Sequence, residues 1–300
     1  MTASGVAGAG CPCRRTLNAF GHDIGRALFR YGVDTVTATS GTLSPAIVVT
    51  GASSGIGRDI ARLAARDRCF LLLLGRSQAA LDALAAELAA AGAQAEALAI
   101  DLLDPRAADQ IERVLSDRGL YCDVLVNSAG FGVFGPAAKA APGEQLNLVD
   151  VNIRALTELT LRFLPGMVAR GRGGVLNVGS ITGYVAGPNM AAYYASKAYV
   201  NSFSAALAAE VAGTGVTVTC LAPGVVRTAF FERCSVGQSR LMKLMPRSNS
   251  PDIAEVGWRG FRAGKRLAIP RLIDRISVAI CILLPQSLLT RFVGWMQQPR

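Results

Sequence analysis

Short, continuous apolar runs alternate with longer amphipathic stretches between residues 45 and 221, and this alternation limits how the chain can fold. Six runs are predicted as strands: Pro45–Thr50, Cys69–Leu74, Ala95–Ile100, Asp123–Asn127, Val175–Gly179 and Val216–Leu221. Five stretches are predicted as helices: Gly57–Asp67, Ser77–Ala91, Asp104–Leu115, Gln145–Arg170 and Ala191–Ala212. Apolar strands separated by helices form a parallel sheet that is covered on both faces. The sequence therefore predicts an α/β fold with a doubly wound parallel sheet in a single domain.

The composition excludes several classes of protein. Hydrophobic residues make up 51% of the 300 residues and charged residues 17%, so the chain can build a core and is not a disordered polymer. Its single histidine, His22, argues against a histidine base and against a metal site built from several histidines. The seven cysteines include no CxxC pair, which predicts no disulfide framework and no metal site, and indicates a reducing, cytoplasmic compartment.

The net charge of +10 is concentrated towards the ends of the chain. Residues 46–229 carry 15 basic and 15 acidic side chains, whereas residues 230–300 carry 12 basic and 4 acidic ones. A basic face with interleaved aromatic residues, as nucleic-acid binders often show, is not recognised, and we expect no nucleic-acid partner. The basic, apolar C-terminal segment fits a membrane surface or an anionic ligand, or else a solvated excess of charge.

Residues 1–44 are rich in Gly, Ala, Ser and Thr and show weak periodicity. They contain no apolar stretch of the kind found in a secretory signal. A transit peptide is the alternative, although Asp23 and Asp34 weaken it. We expect this segment to be a disordered extension.

A glycine-rich turn, Thr50–Gly57, follows the first predicted strand and opens a helix. Glycines at such a turn let the backbone approach a pyrophosphate, whose charge lies at the helix N-terminus. Any tight strand-to-helix turn favours glycine, so the spacing alone is a moderate signal. Arg76 follows Gly75 at the end of the second strand, where an acidic residue would bind a ribose 2′-hydroxyl. An arginine at this position can pair with a 2′-phosphate and so favours NADP(H). The alternative is that Arg76 is simply solvated. Arg58 could assist in binding the phosphate.

Several further motifs occur in a fixed order: Asp101 with Leu102 after the third strand, Asn127-Ser128-Ala129-Gly130 after the fourth, Asn152, Ser180, Tyr193 with Lys197, and Pro223–Thr228. Together with Thr50–Gly57 they resemble the short-chain dehydrogenase/reductase family, with Ser128 in place of an asparagine. The resemblance implies a Rossmann-like catalytic domain over residues 45–270. It also implies cofactor contacts from Gly51, Ser53, Ser54, Gly55, Ile56, Gly57, Arg76, Asp101, Leu102, Asn127, Ala129, Gly130, Tyr193, Lys197, Pro223, Gly224, Val226 and Thr228.

The predicted catalytic residues suit acid–base chemistry without histidine. A free phenol has a pKa of about 10, and a lysine four residues away on the same helix face favours its ionised form. We therefore expect Tyr193 to be the acid–base group and Lys197 to lower its pKa. Tyr194 lies three residues from Lys197 and is expected to pack or to line the pocket. The resemblance further implies that Ser180 donates to the substrate oxygen, that Lys197 binds the nicotinamide ribose, and that Asn152 holds a water in a proton relay.

Structural alternatives exist for each of these residues. Tyr193 and Lys197 could be one face of an amphipathic helix, Ser180 a turn cap, and Asn152 a helix-interior polar residue that is satisfied locally.

The C-terminal segment is predicted to shape the substrate site. Residues 229–263 are expected to form a lid whose apolar residues suggest a hydrophobic substrate, although ordinary packing is equally consistent. Residues 271–300 form an apolar, basic tail. Its uncharged stretch, residues 276–290, is shorter than the roughly 20 residues that span a bilayer. The tail could lie in a membrane interface, cover the sheet edge or contact a partner subunit.

The leading interpretation is an NADP(H)-dependent oxidoreductase that acts on a small hydrophobic carbonyl or alcohol substrate. Alternatives are a 3-oxoacyl-thioester reductase, a non-catalytic NADP(H)-binding regulator and a membrane-tethered interaction protein. The intact Ser180, Tyr193 and Lys197 argue against the regulator. By resemblance we expect a homodimer or homotetramer that pairs through helices 145–170 and 191–212. We expect it in the cytoplasm, with peripheral contact to a membrane through the C-terminal tail as the alternative.

Overall fold

The structure is a computed structural model that describes residues 43–227 and 248–298. Within them, seven parallel strands form one sheet in the order β3-β2-β1-β4-β5-β6-β9. The strands of this sheet are β1 Ser44–Thr50, β2 Phe70–Gly75, β3 Ala95–Ala99, β4 Leu120–Asn127, β5 Gly174–Val178, β6 Thr217–Leu221 and β9 Leu267–Ala268. A separate short pair joins β7 Val226–Arg227 to β8 Ser248–Asn249. The predicted doubly wound α/β fold is confirmed.

Helices cover both faces of the sheet. The described helices are α1 Gly55–Ala64, α2 Gln78–Ala90, α3 Ala107–Asp117, α4 Pro142–Val149, α5 Leu156–Arg170, α6 Ala191–Glu210, α7 Ser250–Arg262, α8 Leu272–Leu283 and α9 Gln286–Gln297. Side chains of a strand point alternately to opposite faces, so successive residues enter different cores. In β2, Leu72 and Leu74 join one core while Leu71 and Leu73 join the other. This double burial explains why the strands are apolar throughout.

The predicted helix Gln145–Arg170 differs from the observed one. The helix begins earlier, at Pro142, and a π-helical segment, Asp150–Ala155, separates α4 from α5. Single π turns inside α-helices often occur at functional sites. This one contains Asn152, whose side chain bonds to two other parts of the fold, as described below.

Part of the segment predicted as a lid is a core helix. Within residues 229–263, α7 buries Ile253, Trp258 and Phe261 in one of the two main cores. Its first residue, Ser250, donates a hydrogen bond to Asp59 of α1. The apolar residues of α7 therefore cover the sheet, and the lid expectation does not hold for residues 250–262. Residues 229–247 lie outside the described residues, as do residues 1–42 of the expected N-terminal extension.

The predicted tail contains two helices, α8 and α9, which pack beside the site end of the sheet. Tyr194 of α6 accepts a hydrogen bond of 2.6 Å from Gln297 of α9. Asp274 of α8 is buried and pairs with Arg271 at 2.8 Å. In the part of the chain that the structure describes, no helix has both the length and the hydropathy needed to span a membrane.

Candidate active site

The site lies at the carboxyl ends of β1, β4 and β5. In doubly wound sheets, ligands bind outside the carboxyl ends of the strands, where the strand order reverses. A cavity of about 630 Å³ opens there, which is within the usual range for a small-molecule site. Predicted site residues that line it are Gly51, Ser53, Ser54, Gly55, Ile56, Arg76, Asp101, Leu102, Ala129, Gly130, Ser180, Tyr193, Lys197, Pro223, Gly224 and Val226.

The glycine-rich turn leaves the backbone no room for side chains. Gly51 has a φ of 67°, and a Cβ there would lie 2.8 Å from the backbone nitrogen of Ala129. A Cβ on Gly57 would lie 2.5 Å from the carbonyl oxygen of Gly51. These close approaches pack the start of α1 tightly against the turn and the β4 end. Gly57 itself is buried and does not line the cavity.

The N-terminus of α1 is suited to an anion. Its N-cap residue, Ser54, makes no side-chain capping bond, and the first turn contains no acidic residue. The first backbone N–H groups of a helix lack partners within the helix and carry its positive dipole end. A pyrophosphate at this end would satisfy both, so the observed turn fits a dinucleotide.

Arg76 lies exposed at the rim of the cavity, just after β2. Among residues 43–227 and 248–298, no carboxylate forms an ion pair with it. Its guanidinium is therefore available to a phosphate. Arg58 is not among the lining residues. Asp101 also lines the cavity, and its carboxylate accepts a 3.0 Å hydrogen bond from the backbone nitrogen of Leu103.

Ser180 follows β5 and is held on both sides. Its hydroxyl donates to the carbonyl oxygen of Pro223 at 3.3 Å and accepts from the backbone nitrogen of Thr182 at 3.1 Å. The turn-cap alternative is thus observed alongside a position on the cavity wall. Asn201 of α6 brackets the backbone of Ser180, because it donates to the carbonyl oxygen at 2.9 Å and accepts from the nitrogen at 3.4 Å.

Tyr193 and Lys197 share one face of α6 at the cavity wall. The Lys197 ammonium nitrogen lies 5.9 Å from the centre of the Tyr193 ring and donates to the carbonyl oxygen of Val178 at 2.8 Å. Burial lowers the pKa of Lys197 from 10.5 to about 8. The side chain remains mostly protonated at neutral pH and places a positive charge beside the phenol.

Tyr194 differs from its neighbour. It is buried, and its hydroxyl accepts a hydrogen bond from Gln297. Burial raises its pKa to about 12, which makes it a poor acid–base group at neutral pH. Tyr194 packs in a small apolar cluster with Met190 and Val225, which agrees with the expectation that it packs.

Asn152 joins two segments of the site. Its amide accepts from the nitrogen of Phe131 at 3.1 Å and donates to the Phe131 carbonyl and to the Ser196 hydroxyl, both at 3.0 Å. A Cβ at Gly130 would lie 3.0 Å from the Asn152 oxygen and 3.8 Å from the Lys197 nitrogen. The missing side chain at Gly130 keeps the space between these two groups open. Asn152 is almost fully buried and does not itself line the cavity.

Asn127 remains a predicted cofactor contact, but its side chain points away from the cavity. Its side chain is buried between the sheet and the helices, where it donates to Thr160 at 3.0 Å and to Asn177 at 2.9 Å. Asn177 in turn donates to Ser204 at 3.0 Å. Asn127 is absent from the cavity wall because its amide is directed into this buried polar network, which fixes the end of β4. Thr228, another predicted contact, lies outside the described residues.

Sequence reasoning missed two residues that position the site. The Thr50 hydroxyl accepts from the nitrogens of Ser128 and Ala129 at 3.0 and 3.1 Å, and so joins the turn after β1 to the turn after β4. Asn201 holds Ser180 as described. The spacing of Asn201, four residues beyond Lys197 on one helix face, could have indicated it.

The cavity wall also includes apolar residues that the sequence did not single out, namely Phe131, Val133, Phe134 and Val151. Glu144 and Asn147 of α4 add polar groups to the wall. Apolar walls with a few polar groups are usual for sites that bind organic substrates.

Comparison with known proteins gives consistent matches. The family model for short chain dehydrogenase matches residues 45–238. A very-long-chain 3-oxoacyl-CoA reductase from Mycosarcoma maydis is 35% identical over 203 residues, covering 66% of this chain and 57% of the relative. The chain thus spans little more than half the length of that curated relative.

Solved structures are also similar. A short-chain dehydrogenase from Sphingobium yanoikuyae in complex with NADPH has a TM-score of 0.70 and 29% identity, covering 81% of this chain and 97% of that one. A 3-oxoacyl-[acyl-carrier protein] reductase from Brucella melitensis with bound NAD has a TM-score of 0.63 and 25% identity, covering 75% and 88%. Either form of the nicotinamide cofactor thus occurs in proteins of this fold.

Proposed function

The chain belongs to the short chain dehydrogenase family, and from this premise we propose that it is an NADP(H)-dependent oxidoreductase acting on an apolar carbonyl or alcohol substrate. The observation that carries the proposal is the convergence of Ser180, Tyr193 and Lys197 on a cavity whose other end is a glycine-rich nucleotide turn. When bound, the nicotinamide supplies or accepts the hydride.

The chain offers three features for holding the nucleotide. The N-terminus of α1 would bind the pyrophosphate, with Gly51 and Gly55 allowing the close backbone approach. Arg76 would pair with a 2′-phosphate, which favours NADP(H) over NAD(H). Asp101 would accept a hydrogen bond from the adenine amino group at the same end of the cavity.

Tyr193 would act as the acid in carbonyl reduction and as the base in alcohol oxidation. A phenol near its ordinary pKa of about 10 needs a nearby cation to work close to neutral pH, and Lys197 supplies one. Ser180 would donate a hydrogen bond to the substrate oxygen and so hold it beside the phenol. A water in the space beside Gly130 would link Lys197, and through it Tyr193, to solvent past Asn152.

The substrate would be apolar because Phe131, Phe134 and Val151 line the cavity together with Tyr193. A second candidate is a 3-oxoacyl thioester. It is supported by the similarity to the 3-oxoacyl-CoA reductase and to the 3-oxoacyl-[acyl-carrier protein] reductase. We also propose that the protein is a homodimer or homotetramer, as is usual in this family. A measurement of its mass in solution tests this.

Initial rates of NADPH oxidation test the proposal directly. The panel comprises apolar ketones, apolar aldehydes and 3-oxoacyl thioesters, each with NADPH and with NADH. Turnover of an apolar ketone or aldehyde with NADPH supports the leading candidate, and turnover of thioesters alone supports the second. Binding of NADPH with no turnover of any of them would favour a regulator and contradict the proposal.

A further inference from the structure

The outer surface of α8 and α9 carries an unusual concentration of exposed apolar side chains. Within residues 43–227 and 248–298, ten of the fifteen exposed large hydrophobic residues lie between residues 272 and 295. Single exposed apolar residues need no explanation, but a contiguous patch marks a binding surface. We define this patch as the apolar face.

Seven of these ten residues recur at helical spacing on α8 or α9. In α8, Leu272, Ile276, Ile280 and Leu283 recur at intervals of three or four residues. In α9, Leu288, Phe292 and Trp295 do the same. Residues at this spacing lie on one side of a helix. Leu283 and Leu272 are 81% and 72% exposed, although leucine is normally a core residue.

Polar contacts on the opposite side fix this orientation. The buried Asp274 carboxylate accepts two hydrogen bonds from Arg271, and a Cβ at Gly224 would lie 2.4 Å from it. At the end of α9, the buried Gln297 donates to Tyr194. Turning the apolar residues inward would break these buried interactions at a cost of desolvation. The two helices are thus held with their apolar residues outward.

The surroundings of the apolar face are basic. A second cavity of about 290 Å³ lies where α7, β9 and α8 meet, and Arg259, Lys265 and Arg275 line it with no acidic residue. Asp274 is the one acidic residue between residues 264 and 298, and it is buried against Arg271. The exposed Arg291 adds a further positive charge on α9.

We propose that the apolar face is a docking surface for an anionic lipid bilayer, with its apolar side chains in the interface and the basic cavity at the phosphate level. Apolar side chains combined with lysine and arginine are what such an interface binds, and tryptophan is enriched there. A second copy of the same surface is disfavoured because a two-fold axis would bring like charges together. Helices too short to cross a bilayer suit a position along its surface.

The docking surface adjoins the candidate active site. Val293 of α9 packs with the cluster that contains Tyr193 and Tyr194, and Gly294 lies against Pro188. If the proposed function holds, an apolar substrate could enter from the lipid. The docking itself does not depend on that function, so the two are tested separately.

Tryptophan fluorescence tests the proposal because the chain has two tryptophans, one buried and one exposed. The full-length Trp258→Phe variant reports on Trp295 alone. Vesicles of phosphatidylcholine with phosphatidylserine should shift its emission to the blue and co-sediment the protein. Vesicles of phosphatidylcholine alone should bind at least about tenfold more weakly, since several charges contribute. Absence of a blue shift and of co-sedimentation with anionic vesicles would overturn the proposal.

Matched variants separate the contributions. Ile276→Ser and Phe292→Ser should each weaken vesicle binding about tenfold, and Arg275→Glu should weaken it and reduce its salt dependence. The controls are Leu43→Ser and Arg106→Glu, which change exposed residues distant in sequence from α8 and α9. They should leave vesicle binding unchanged. Melting temperature and NADPH binding check that each variant is folded. The proposal would be contradicted if the control variants weakened vesicle binding as much as the variants of the apolar face do. It would also be contradicted if the wild type formed a dimer that Phe292→Ser dissociates, and bound no lipid.

Discussion

Replacing Arg76 with alanine separates the two forms of the cofactor. Arg76 is exposed at the cavity rim and has no carboxylate partner among the described residues, so the free protein loses no internal ion pair in the variant. A hydrogen bond to a charged group contributes about 1.5–3 kcal/mol, and exposure places this one near the lower limit. A loss of about 1.5–2 kcal/mol corresponds to roughly 10–30-fold weaker NADPH binding. NADH, which lacks the 2′-phosphate, should bind within about twofold of the wild-type value.

Fluorescence titration of NADPH and NADH against the wild type and Arg76→Ala measures both affinities. The wild-type preference for NADPH should also decrease with rising salt, because the contact is exposed. Arg58→Ala is the matched control, since Arg58 follows the same nucleotide turn but does not line the cavity. Equal weakening of NADPH and NADH by Arg76→Ala, or a larger effect from Arg58→Ala, would refute the assignment of the phosphate site.

Three further predictions concern the glycine-rich turn, the charge of Lys197 and the positioning of Ser180 by Asn201. Gly57→Ala, which forces a Cβ to 2.5 Å from a carbonyl oxygen, should cost about 1–3 kcal/mol of stability in thermal unfolding, whereas Gly143→Ala, with nothing within 4 Å, should not. The rate of carbonyl reduction should fall as pH rises through about 8, when Lys197 loses its proton; a decline near 10.5 would contradict its burial. In the unfolded chain Lys197 keeps its proton up to a pKa of 10.5, whereas in the folded protein it loses the proton at about 8. The free energy of unfolding should therefore rise with pH between about 8 and 10.5. Asn201→Ala removes the two hydrogen bonds that hold the backbone of Ser180. It should lower kcat, measured in steady-state assays, more than it lowers the affinity for NADPH, measured in binding assays. A larger loss of NADPH affinity than of kcat would argue against a positioning role for Asn201.

Most of the fold could be predicted because buried parallel strands leave a strong signal. β2 must fill both cores, so all four of its central residues are leucines, and the pattern cannot be mistaken for an amphipathic element. The cofactor turn was equally visible because glycine is required where the backbone has a positive φ or approaches another backbone closely.

Other features depend on distant contacts that leave no local pattern. The π turn at Asn152 is stabilised by bonds to Phe131 and Ser196, which lie far away in the sequence. Asn127 resembles a ligand-binding residue in its motif, yet the amide is directed inward by partners on other elements. The core role of α7 was missed because its apolar residues are equally suited to a lid.

Turnover and NADPH binding of the Tyr193→Phe variant, measured side by side, test the central claim most directly. The variant retains the ring beside Lys197 and removes only the hydroxyl that is proposed to transfer the proton. We predict that turnover of the best carbonyl substrate falls by at least about 10²-fold while the Kd for NADPH changes little. Tyr194→Phe is the control and should retain most of the activity. Retained turnover in Tyr193→Phe would contradict the account.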